Sequence, residues 1–477
     1  MHNLNLNRMA AQKYHLFQKS LCYIIPLLAG LIYWLAFFPG VMSFDSVSQW
    51  DQLSTFKITN LHPAAHTILE WILTRIWYSP AIISLFQVLI ASLVIGYGLN
   101  TIQKVGRIPG YILIILSFLF TANPIVGIMN VTLWKDVLYS LAILLLTIVL
   151  LKLVSSDGEW ILKPSHFVLL GCTLPIIWLF RFNGFPVVLV SMIAMVIVYK
   201  KYFKHFVYST LIAIAIILFV FGPVYSWFEV NRELVFNYGI AFIHPVVPYV
   251  NNQTDLAYLS DREKQYLNQI YPLKNTWSYS CYDATVFYYL NANFLPVIGD
   301  PFTMLKIFTR LAIHDPKIMI NHFICLSSFI WQPNQPKNVY LETILLDNYN
   351  VDQHPSWEIY KYVVSQNSLL PEVRDFIKHI VDAEWNRDVN RLVWRPALYL
   401  YLFLGSLFFC VYKTGRKKWL LLSVPLIAQS IGIMLTAQNQ ALRYQYPVYL
   451  IAMLFTVPLI MIGFKNSVTI YPEDTKT

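Results

Sequence analysis

Charge is what this sequence has least of. Only 13% of its 477 residues are Asp, Glu, Lys or Arg, against about 25% in an ordinary soluble domain, so too little polar surface exists to coat a soluble body. Cysteine is scarce as well. The five present show no metal-ligand spacing, and Cys22, Cys172 and Cys410 lie inside apolar runs. Cys281 and Cys325 can pair only if their segment faces an oxidising compartment, and five unpaired thiols are the plainer expectation. No Gly-rich phosphate loop exists to support soluble nucleotide binding, and no internal repeat is visible. The first twenty residues are too long and polar for an ordinary signal peptide, and no small-residue cleavage site follows the apolar run behind them, so that run is expected to remain as a span.

What the chain has is hydrocarbon: 57% apolar residues and a mean hydropathy of +0.52. Uncharged runs such as LCYIIPLLAGLIYWLAFF and LIAIAIILFVFGPVYSWF approach the ~20 residues that cross roughly 30 Å of hydrocarbon. The expected fold is an all-α polytopic membrane protein of about ten transmembrane helices, near 21–39, 81–99, 110–128, 134–152, 166–181, 184–199, 206–227, 397–412, 419–436 and 446–464. The formal charge of +10 does not point to nucleic acid, because the cations cluster in short loops. A cytoplasmic N-terminus puts QKVGR, KLVSSDGEWILKPSH, YKKYFKH, YKTGRKK and both chain ends inside, with about sixteen Lys and Arg among them, as the positive-inside rule requires.

That alternation sends residues 40–80 and 228–396 to the outer side and divides the chain into an N-terminal membrane module (1–227), a mainly helical non-cytoplasmic loop domain (228–396) and a C-terminal membrane module (397–477). The patterning of SDREKQYLNQI and PEVRDFIKHIVDAEWNRD predicts helices in the loop domain. The stretch FTMLKIFTRLAIHDPKIMINHFICLSSFIW is apolar at helical spacing but interrupted by charge, which suits interfacial or domain-core helices better than a span.

The residues able to carry chemistry collect at the outer ends of the expected spans. Asp45 follows the first span closely, where an apolar wall would raise its pKa toward the range useful to a general base; the bland alternative is a helix cap. Asp51 follows it. An amphipathic helix is expected from Leu61, with Pro63 in its first turn and His62, His66 and Glu70 in a row at i, i+4, i+8. The two histidines could share a divalent metal, contact phosphate or sugar, or supply plain interfacial polarity, and HPAAH lacks the glutamate of the zinc protease motif. Lys135 and Asp136 in LWKDVLYS, Arg181 and Asn183 in RFNGFP, and Arg443, Tyr444 and Gln445 in ALRYQYPVYL complete the set. Ionisable groups at membrane depth usually mark function, although each could pair locally, snorkel to lipid phosphate or, for Tyr444, anchor in an aromatic belt.

An acid just after the first span (Asp45 in SFDSVSQW), a juxtamembrane helix behind it (Leu61 through Tyr78), a long loop after the seventh span and an arginine near the last crossing (Arg443 in LRYQYP) together resemble the GT-C class of membrane glycosyltransferases. This class includes protein O-mannosyltransferases and the aminoarabinose transferases of lipid A. The resemblance covers most of the chain and implies a GT-C-like fold, Asp45 as catalytic base and Arg443 on the phosphate of a polyprenyl-phosphate-linked sugar donor. Many members carry two adjacent acids, whereas here Ser46 follows Asp45. On this reading Asp51, His62, His66, Lys135, Asp136, Arg181 and Tyr444 bind substrate, the acceptor is a glycan, lipid or protein, and no cofactor is assigned, with a divalent metal left open. The expected location is a bacterial inner membrane with the active face in the periplasm. A surface-glycan polymerase or ligase, and a transporter of lipid-linked sugar, are the alternatives.

Overall fold

The computed structural model describes residues 2–231, 236–252, 256–284, 291–335, 358–383 and 389–465. It is nearly all helical, with no β-strand among the described residues. Seven helices are long and apolar enough to cross a bilayer, and eight if the bent pair α5 (Gly110–Thr121) and α6 (Pro124–Val131) makes one span. The chain is therefore an integral, multi-pass membrane protein. Eight of the ten expected crossings correspond to these helices; the other two, 166–181 and 184–199, are the shorter α8 (Pro164–Phe180) and α9 (Gly184–Val198), of 17 and 15 residues.

Local chemistry sets the breaks. The Asn123 side chain accepts from the Ile125 amide at 2.9 Å, and Pro124 occupies the first turn of α6, so the helix restarts at an angle of 60°. Burial then ranks the helices. In α7 (Lys135–Ser155) 89% of the apolar window is buried, whereas in Lys200–Trp227 only 17% is. A helix apolar on every face belongs in the centre, and α7 is that pillar. Around it pack α4 (Pro80–Gly106), α8 and the last helix, α15 (Tyr446–Lys465).

Within the polar stretch between the membrane modules, the described residues from 240 to 319 share a core of their own that includes Ile243, Tyr249, Trp277, Ile307 and Leu311. SDREKQYLNQI supplies the helix Asp261–Ile270, capped by Ser260 with Glu263 bonding back to the Ser260 amide at 2.9 Å. The helix Pro371–Asp382 matches the second patterned segment as far as the described residues extend, since 384–388 lie outside them. The charge-interrupted stretch forms two helices, α11 (Pro301–His314) and α12 (Pro316–Leu326), each opened by an Asp side chain that caps an amide two or three residues on.

Cys281 and Cys325 form a disulfide with their Cα atoms 5.8 Å apart, which corrects the expectation of five free thiols. Sequence spacing could not reveal it, because the two cysteines stand 44 positions apart and only the tertiary fold brings their Cα atoms within bridging distance. The disulfide lies beside a seam between this domain and the C-terminal membrane module. Gln440 Nε2 donates to the Cys325 and Leu326 carbonyls and to Ser328 Oγ at 3.1, 3.2 and 2.7 Å, and the Ala284 amide donates to the Gln438 carbonyl at 2.7 Å. Alkylation of denatured, unreduced protein should therefore tag three cysteines and reduced protein five, counted by intact mass; five tags before reduction would remove the bridge.

Candidate active site

Two helix N-termini converge at one end of the bundle. The Val41 amide donates to the Val131 carbonyl and the Leu133 amide to the Val41 carbonyl, both at 2.9 Å, which lays the chain after the first span beside the turn that opens α7. Ser46 Oγ donates to the Leu133 carbonyl at 2.6 Å, and Trp134 Nε1 donates to Ser43 Oγ. Ser43 caps α2 (Phe44–Thr55), its amide donating to Ser46 Oγ at 3.2 Å. These bonds fix Asp45 in the first turn of α2 opposite Lys135 in the first turn of α7.

Arg443 arrives from the other end of the sequence. It sits on the 3-10 turn Leu442–Gln445 that leads into α15, directly after the segment held by the loop domain. One oxygen of Asp45 receives everything: Oδ2 lies 2.7 Å from Lys135 Nζ, 2.9 Å from Arg443 Nη1 and 4.0 Å from His62 Nδ1. His62 Nδ1 is also 3.3 Å from Lys135 Nζ. Oδ1 accepts no hydrogen bond among the described residues, and the Asp45 side chain retains 22% of its exposure. Burial pushes the Asp45 carboxyl up, but Arg443, Lys135 and His62 together hold it well below the usual carboxylate range. The expected upward shift is thus reversed, because the apolar wall comes with two cations in contact.

A second pair lies alongside. Asp136, buried, is ion-paired to Arg181, whose Nε donates to Asn183 Oδ1 at 3.0 Å. Tyr444 joins the two pairs: the Arg181 guanidinium lies 4.7 Å from its ring centroid and that of Arg443 5.3 Å, while Arg443 also stands 5.0 Å over Trp134. Alternating aromatics and guanidinium groups favour one another in a desolvated site. The stack is held from below by Gln429, whose Nε2 donates to the Tyr444 carbonyl at 2.9 Å and whose Oε1 accepts from Tyr139. Gln429 and Tyr139 were not among the sequence candidates. A lone glutamine inside the apolar helix Val424–Thr436 was the available signal.

The expected histidine row does not form. Pro63 is extended (φ −52°, ψ 108°) and α3 begins after it, at Ala64, and runs to Thr74, so His62 projects from a turn into the Asp45 cluster. His66 and Glu70 do share a face, but it is the inward one. They are 1% and 2% exposed, while Ile76 just beyond the helix is 76% exposed. His66 meets Gln49 Nε2 at 3.1 Å and Glu70 Oε1 at 3.6 Å and rests against Phe180. Burial lowers the His66 pKa to about 3 and raises that of Glu70, so the pair is neutral rather than ionic. Burial, helped by Lys135, lowers the His62 pKa to about 4. Asp51 is exposed and outside the cluster. The structure therefore brings together Asp45, His62, Lys135 and Arg443, with Asp136, Arg181 and Tyr444 alongside, and leaves out Asp51 and His66. Among the described residues no group of three or more His, Cys, Asp or Glu could hold a metal ion.

Comparison of the chain with protein-family models, with curated proteins and with solved structures finds no match in any of the three.

Glu70 gives this geometry a pH signature. Its raised folded-state pKa means the native protein keeps a proton that the unfolded chain loses as pH rises above the ordinary glutamate value, so this group subtracts stability with increasing pH. Glu70→Gln removes that cost. The melting midpoint of the variant, relative to wild type, should rise between about pH 5 and about pH 8 in detergent; a difference independent of pH would contradict the buried, protonated state.

Proposed function

We propose that this protein is a GT-C-like membrane glycosyltransferase that moves a sugar from a polyprenyl-phosphate carrier to a glycan, lipid or protein hydroxyl. The observation that carries the reading is the single carboxylate of Asp45, bonded on Oδ2 by Lys135 and Arg443, with no hydrogen bond to Oδ1 among the described residues. An ionised carboxylate beside two cations suits a reaction in which a proton is lost at one atom while negative charge grows at another.

In the proposed reaction Asp45 takes the proton of the acceptor hydroxyl. The acceptor oxygen bonds to the anomeric carbon, the bond from that carbon to the phosphate oxygen breaks, and its electron pair leaves with the phosphate. A single displacement of this kind inverts the anomeric centre. Lys135 and Arg443 offset the charge on the leaving phosphate, and Arg443, clamped by Trp134 and Tyr444, needs little reorganisation to do so. The Arg181–Asp136 pair fixes Tyr444 from its other side.

The orientation in this proposal has the cluster and the loop domain facing the periplasm of a bacterial inner membrane, with the N-terminus in the cytoplasm. The Cys281–Cys325 disulfide favours it, since such bonds persist in oxidising compartments, and so do the cations of the opposite loops. Lipid-linked and surface glycans compared by mass spectrometry among cells carrying wild type, a deletion, Asp45→Asn or Arg443→Gln test the activity. Both variants should lose the same sugar as the deletion, with transfer reduced about a hundredfold or more, the usual scale for a lost general base. Asp51→Asn should retain it. Wild-type glycans from Asp45→Asn at matched abundance would contradict the proposal.

A further inference from the structure

The contact that makes the site recognisable also obstructs it. Lys135 and Arg443 are the cations that would receive a donor phosphate, yet both are spent on Asp45 Oδ2, at 2.7 and 2.9 Å. A phosphate entering beside that carboxylate would meet a like charge in a site where Lys135 and Arg443 are only 12% and 10% exposed. Like charges in contact at low dielectric are strongly disfavoured. A phosphate also offers more acceptor oxygens than a carboxylate and suits the planar guanidinium fork at least as well.

Resting on the transferase reading, we infer that Lys135 and Arg443 form one anion site with two alternating occupants, the Asp45 carboxylate and the phosphate of the incoming donor, so that donor binding itself releases the base. Asp45 is suited to exchange. It sits in the first turn of a twelve-residue helix, next to the exposed Phe44, and its own Oδ1 makes no other bond among the described residues that would have to break. The two cations are held independently of it, Lys135 by the central pillar α7 and Arg443 between Trp134 and Tyr444. The carboxylate can therefore swing out while the cationic cradle stays.

The exchange orders the reaction. Without donor, Asp45 is a poor base because two cations stabilise its ionised form. With phosphate on Lys135 and Arg443, the carboxylate loses those partners and gains an anionic neighbour, and both changes raise its affinity for a proton. It then accepts the proton of the acceptor hydroxyl as the new glycosidic bond forms and the old one breaks. When the phosphate departs, Asp45 gives up that proton to water and returns to the cations as a carboxylate. An acceptor alone finds no active base.

Binding of farnesyl phosphate to the purified full-length protein in nanodiscs, with farnesol as the uncharged control, tests this. Asp45→Asn should tighten farnesyl phosphate binding by about tenfold or more, because the competing internal anion is gone. Lys135→Met and Arg443→Gln should weaken it by a similar factor, and farnesol should respond to none of them. If the cation variants weaken binding but Asp45→Asn leaves it unchanged or weaker, the exchange is overturned and the phosphate site stands. If the cation variants bind as wild type does, or nothing binds, the transferase reading falls with it. A structure of the wild type with farnesyl phosphate guards against a misfolded variant: phosphate oxygens should contact Lys135 and Arg443 with Asp45 released from both, and persistence of both Asp45 contacts would overturn the exchange.

Discussion

Everything at the candidate site depends on one carboxylate oxygen, Asp45 Oδ2, shared between the ammonium of Lys135 and the guanidinium of Arg443. Taking three charges out of water costs several kcal/mol per ion, and breaking one partner of such a set usually costs about 3–5 kcal/mol. An arrangement this expensive is weak evidence of stability. On the proposed reading it acquires sense as a site kept ready for a charged ligand, and the net cation excess around Asp45 then matters more than its depth. The resting contact is best regarded as the ground state of that site.

The three residues come from parts of the chain separated by up to 398 positions, and each is delivered by a different device. A short parallel pairing of Val41 with Thr132 aligns the N-termini of α2 and α7. The break at Asn123 and Pro124 bends the preceding helix so that this pairing is reachable. Arg443 is delivered by a turn whose entrance is fastened, through Gln438 and Gln440, to the residues flanking the Cys281–Cys325 bridge. The residues around the bridge therefore hold the segment that carries the site's arginine.

Much of this was legible in the sequence, for physical reasons that also explain the failures. Eight long apolar runs give helices of the corresponding extent because a bilayer imposes length and composition directly on the chain. Asp45, Lys135, Arg181 and Arg443 stood out because ionisable groups are rare at that depth. The pairing partners were not legible, since a sequence has no signal for which of several cations meets which carboxylate. That is why the sign of the Asp45 shift came out reversed. The histidine row fails differently: helical periodicity does not extend back across Pro63, so His62 leaves the row, while His66 and Glu70 face the protein interior and the apolar Ile72 and Ile76 are exposed. The disulfide was invisible because pairing is a fact of tertiary distance.

The most direct measurement of the central claim is the chemistry itself in a purified system. Full-length protein in nanodiscs, supplied with a membrane extract of lipid-linked sugars and acceptors, should release free polyprenyl phosphate and glycosylated acceptor in equal amounts, both quantified by mass spectrometry. Asp45→Asn should release neither. Release by the variant at the wild-type rate, or no release by the wild type while a sugar lipid crosses the bilayer unchanged, would contradict a transferase centred on Asp45.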